Sequence, residues 1–79
     1  MKLSSEQEYR FEQMSRDERD IVLRQAGEEL MMDCAFVEAF VDVLRKVISP
    51  MFAAWLLNMS VADFLKEGKR LADKADSML

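Results

Sequence analysis

Histidine is missing from this sequence altogether, and with it goes the commonest general acid–base and metal-ligating side chain. A single cysteine, Cys34, cannot close an internal disulfide, and without histidine it cannot build an ordinary zinc site. That lone thiol, together with an opening MKLSSEQEYR that turns acidic where a secretory leader would be apolar, gives the expectation of a reducing compartment, the cytoplasm. One proline and two glycines leave few chain breaks, so the sequence reads as helix. The longest apolar run, Val47 to Met59, lies between Arg45 and Lys46 on one side and Asp63 on the other. It falls short of the roughly 20 apolar residues that a membrane-spanning helix needs.

What the chain does hold is a high share of both apolar (51%) and charged (33%) residues in 79 positions, enough for one domain and too few for a second core. A domain this small buries only about 60% of the surface its unfolded chain exposes and usually needs a further source of stability. With disulfide and zinc excluded, association with another chain is the expected source. The net charge of -4 argues against a general affinity for nucleic acid or anionic membrane. The acidic surplus belongs to the first 33 residues, which carry nine acids against five bases, whereas residues 34–79 carry six of each.

Helix starts are marked by caps. Ser5 with Glu8 forms a capping box and predicts a short first helix to about Met14, and Ser15 with Glu18 repeats the signal. From there the pattern allows a stop at Gly27 or a run through it to Ser49, and the favoured reading is one long central helix bent at Gly27, because an interior glycine costs only about 1 kcal/mol relative to alanine. Pro50 ends it, and Ser49 as cap with proline at the first helical position predicts a third helix to Asn58. Ser60 opens the last helix, where Met59 and Phe64 occupy the two positions of a hydrophobic staple and Val61, Phe64, Leu65, Gly68, Leu71, Ala72, Ala75, Met78 and Leu79 form one stripe.

On the central helix Leu30, Cys34, Val37, Val41, Leu44 and Ile48 alternate steps of four and three, the seam of a helix that pairs closely with another. A second row, Phe36, Phe40, Val43 and Val47, lies about 110° further round. This is more apolar surface than the short neighbouring helices can easily cover. The expected protein interface is therefore Val37, Val41, Leu44 and Ile48 on the seam, or Met51, Phe52, Trp55 and Met59 on the uncharged segment, with Trp55 as anchor.

Other chemistries are weighed by ligand count and charge. Glu29 and Asp33, one helical turn apart in the predicted helix, supply too few oxygens for a hard cation. Met31, Met32 and Cys34 are soft ligands in a copper(I) sense, but methionine and free cysteine are ordinary core fillers. Lys66, Lys69, Arg70 and Lys74 on the last helix are the best candidates for phosphate contact, yet Asp63, Glu67, Asp73 and Asp76 interleave with them and fit a salt-bridged solvent face. The expectation is an all-α, four-helix, non-enzymatic domain without catalytic, cofactor or metal residues. It is expected to act as a homodimeric adaptor, inhibitor or assembly factor and to show a further protein partner its acidic amino-terminal half. The alternatives are a small DNA-binding regulator using the basic side of the last helix, and a peripheral membrane-surface protein using Phe52, Trp55 and Leu56.

Overall fold

The computed structural model describes residues 16–78. Those residues form four helices in succession: α1 (Arg16–Glu29), α2 (Cys34–Leu44), α3 (Pro50–Leu56) and α4 (Val61–Ser77). The short first helix expected from Ser5 to Met14 lies outside the described residues. Each helix packs on two others, α1 on α2 and α4, and α3 on α2 and α4, so the four close into a ring around a shared core.

The long central helix is not present; the chain turns between Glu29 and Cys34 and again between Leu44 and Pro50. The same device causes both turns. At the end of α1 the Met32 amide donates to the Gly27 carbonyl (2.9 Å) and the Met31 amide to Glu28 (3.0 Å), with Met31 in the left-handed region at φ 57°. At the end of α2 the Val47 amide donates to Asp42 and the Lys46 amide to Val43, both at 3.0 Å, with Lys46 at φ 62°. After α3 the pair recurs as Met59 to Ala54 and Asn58 to Trp55, with Asn58 at φ 54°. This is the Schellman closure, which normally recruits glycine at the left-handed position. Here the three positions hold methionine, lysine and asparagine, so glycine content gave no warning of the first two stops.

Each closure is followed by a cap that starts the next helix. The Asp33 carboxylate accepts from the Ala35 amide (2.8 Å), Ser49 Oγ from Phe52 (3.1 Å) and Ser60 Oγ from Asp63 (3.0 Å). Ser49 with Pro50, and Ser60, stand where the sequence pattern places them.

Gly27 opens no break in α1, which continues to Glu29. It lies within the helix and is buried against α2, where an added Cβ would stand 2.6 Å from Val37 Cγ2, so the missing side chain sets the approach of the two helices. The core fills the centre of the ring: Leu23 and Ala26 from α1, Phe36, Val37, Phe40 and Val41 from α2, Ala53 and Ala54 from α3, and Phe64, Leu71, Ala72 and Ala75 from α4. Phe36, Phe40 and Phe64 form an aromatic triangle with ring centroids 5.4 to 6.3 Å apart, within the range in which aromatic pairs attract beyond simple burial. Outside the core, Arg45 at the end of α2 forms an ion pair with Asp20 of α1, the one buried charged residue among the described residues.

Candidate functional site

The two halves of the expected interface separate. Val37 and Val41 are buried in the chain's own core, and Leu44 and Ile48 pack partly buried against it. The seam that a second chain was expected to cover is covered instead by α1 and by the neighbouring helices of the same molecule. Its second row divides in the same way, with Phe36, Phe40 and Val43 buried and Val47 at 68% exposure beyond the end of α2.

The uncharged segment behaves differently. A seven-residue helix that is apolar nearly all round has no intrinsic preference for which face to bury. In α3 the small residues Ala53 and Ala54 turn inward and are buried, while the large ones turn out. Trp55 is 72% exposed and Met51 70%, with Phe52 and Leu56 about half exposed. Met51 and Trp55 are one turn apart, as are Phe52 and Leu56, and the Phe52 and Trp55 rings stack with centroids 5.8 Å apart. Together these four side chains form an apolar ridge on the order of 600 Å², at the upper end of the largest patch that a monomeric protein usually shows.

Beside the C-terminal end of this ridge lies an open groove of about 360 Å³. Leu30, Met31 and Met32 from the α1–α2 turn, Phe36 from α2, and Leu57 and Met59 from the α3–α4 turn supply its apolar walls. Met59, expected as an interface residue, is thus a groove residue and partly buried. The polar side chains around the groove have partners: Asp33 caps α2, and Arg70 Nη1 donates to Glu67 Oε2 at 3.2 Å. What the groove offers a ligand is mainly thioether, aliphatic and aromatic surface, with Asp33, Glu67 and Arg70 on its polar side.

The remaining candidates are dispersed or paired. Met31 and Cys34 do not share a helix face, because the left-handed turn at Met31 falls between them; Cys34 is exposed as the first residue of α2. The same turn separates Glu29 from Asp33, and Lys74 Nζ lies 4.0 Å from Glu29 Oε1. Among the described residues no three acidic or cysteine side chains converge on a point that holds a metal ion. On α4, Lys69 Nζ donates to Asp73 Oδ1 at 2.8 Å and Arg70 pairs with Glu67, so these bases face carboxylates on their own helix, while Lys66 is exposed. The Arg24 guanidinium donates to Glu38 across α1 and α2 and holds that carboxyl below its ordinary value. No described helix is long and apolar enough to cross a membrane.

Sequence reasoning named Met31 only as a soft ligand and missed the groove it lines. The only local signal for the turn that creates them is Asp33, a good cap residue placed inside an apparently continuous helical pattern. Comparison with protein families, curated proteins and solved structures gives no match for this chain. The functional reading therefore rests on geometry.

Proposed function

We propose that this chain is a non-enzymatic protein–protein interaction module that docks another chain on the α3 ridge and works as a homodimer. One observation carries the reading: α3 buries its alanines and presents Met51, Phe52, Trp55 and Leu56 to solvent. Exposed aromatic and methionine side chains on a rigid helix are the groups that dominate interface energetics. Leaving them in water forgoes about 1.5–3 kcal/mol for each large apolar side chain that full burial would return. Adaptor, inhibitor or assembly factor are the roles that suit such a module, with the acidic amino-terminal half free for a different partner and the reducing cytoplasm as the setting for an exposed lone thiol. The DNA-binding alternative draws little support from bases that face carboxylates on the same helix.

The test is solution mass by light scattering across a dilution series, with Trp55→Ala beside the wild type. The expected result is a mass near twice 9.2 kDa for the wild type at high concentration and a monomer for the variant. A wild type that stays monomeric at every concentration removes the homodimer.

A further inference from the structure

We infer that the ridge and the groove are the two halves of one self-complementary interface: Trp55 of each copy seats in the partner copy's groove between Met31 and Met59, in a twofold dimer. This rests on the reading of α3 as an interaction surface and specifies both its occupant and its geometry.

Size is the first argument. An apolar cavity of about 150 Å³ accepts benzene, so an open groove of about 360 Å³ has room for the larger indole. Its walls suit an aromatic guest, since methionine adapts its shape and its sulfur attracts ring edges. Trp55 is in turn a preformed knob: 72% exposed and held on one side by the Phe52 ring, it has little freedom left to lose on docking.

Placement and charge point to a second copy of this chain. Leu57 and Met59 wall the groove two and four residues after Trp55, so knob and hole share one patch at the end of α3. A twofold interface requires this arrangement, because whatever residue i does to residue j must be returned by the other copy. A knob and hole on opposite faces would instead build an open chain of molecules. The ridge meets a second copy without charge of its own, since no charged residue occurs from Val47 to Ala62, and of the charged groups that line the groove Arg70 pairs with Glu67 while Asp33 caps α2. The ridge, at about 600 Å², together with the groove mouth approaches the roughly 800 Å² that each partner contributes to a standard stable interface.

Met31 supplies an independent reason. It is 92% exposed and sits at φ 57°, where a side chain other than glycine costs about 1 kcal/mol or more. Within one molecule that side chain buries almost nothing. Against a partner's indole it becomes a groove wall.

The test is a double-substitution cycle read by sedimentation equilibrium on the full chain: wild type, Trp55→Ala, Met31→Asn, and both together. Both positions are exposed and asparagine tolerates the left-handed region, so far-ultraviolet circular dichroism should match the wild type throughout. Each single substitution is expected to weaken the dimer at least about tenfold, and the double variant to be no more than about threefold weaker than Trp55→Ala alone, because the two side chains meet across the interface. A wild-type dimer in which the two losses simply multiply, or in which Met31→Asn has no effect, overturns the seating while leaving the ridge as a contact. A wild type that is monomeric throughout, yet floats with phosphatidylcholine–phosphatidylserine vesicles only when Trp55 is present, assigns the ridge to lipid. That result overturns both the inference and the reading beneath it.

Discussion

Replacing Gly27 with alanine sets two effects of opposite sign against each other. In an isolated helix the substitution gains about 1 kcal/mol. In this fold the new Cβ stands 2.6 Å from Val37 Cγ2, a full ångström inside ordinary contact, with Val37 Cγ1 and Cβ at 3.6 and 3.7 Å. Relief by rotation is closed off, because a valine in a helix has one strongly preferred rotamer and Val37 is buried. Relief by separating α1 from α2 would loosen Leu23 and Ala26, both fully buried. Overpacking of this kind costs about 1–3 kcal/mol, so the clash outweighs the propensity gain and the net loss is about 1 kcal/mol. For a domain of this size that lowers the melting temperature by roughly 4–8 °C, measured by circular dichroism at a fixed protein concentration so that dimerisation contributes equally. In a Val37→Ala background, which removes both methyl groups, the same Gly27→Ala change should stabilise. An increase in melting temperature on Gly27→Ala in the wild-type background would refute the close approach of α1 and α2.

Lys46→Gly should raise stability by about 0.5–1 kcal/mol in urea denaturation, because it relieves a left-handed lysine that is exposed at the end of α2. Asp20→Ala should cost about 1–3 kcal/mol in the same assay, since it leaves the partly buried Arg45 guanidinium without its carboxylate. The Arg24–Glu38 pair makes a smaller and pH-dependent contribution. Glu38 is held below its ordinary value by the hydrogen bond from Arg24, so this stability is present above the ordinary carboxylate range and is lost as pH falls through that range to the lowered value. Both side chains are about half exposed, so Glu38→Gln should cost less than about 0.5 kcal/mol at neutral pH, and the cost should fade in high salt.

The parts of the fold legible in the sequence are those where a local signal has one physical solution. Ser49 with Pro50 and Ser60 are caps whose hydroxyls satisfy orphan amides, and the stripe from Phe64 to Ala75 has the period of a helix with one buried face. The stops at Met31 and Lys46 were illegible because a left-handed closure without glycine leaves no compositional trace; the backbone there closes through paired amide-to-carbonyl bonds that require no particular side chain. Apolar periodicity says that a face is buried and is silent on which chain buries it. That is why Val37 and Val41 read equally well as a dimer seam or as the core they form. The orientation of α3 was hidden for a related reason. A helix apolar all round has no hydrophobic phase, so it is the packing of α3 against α2 and α4, and not its own sequence pattern, that buries Ala53 and Ala54.

If the ridge is the interface, Trp55 leaves water when the protein associates. As the chain's single tryptophan it reports on itself, and its emission maximum together with its acrylamide quenching, recorded from micromolar to millimolar protein, follows the ridge directly. In dilute solution the emission should be red-shifted and readily quenched, and as concentration rises it should move to the blue and become protected, in step with the doubling of mass. Emission that stays red and open to quencher in a sample shown to be dimeric would mean that the copies meet elsewhere, and the ridge would lose its place in the interface.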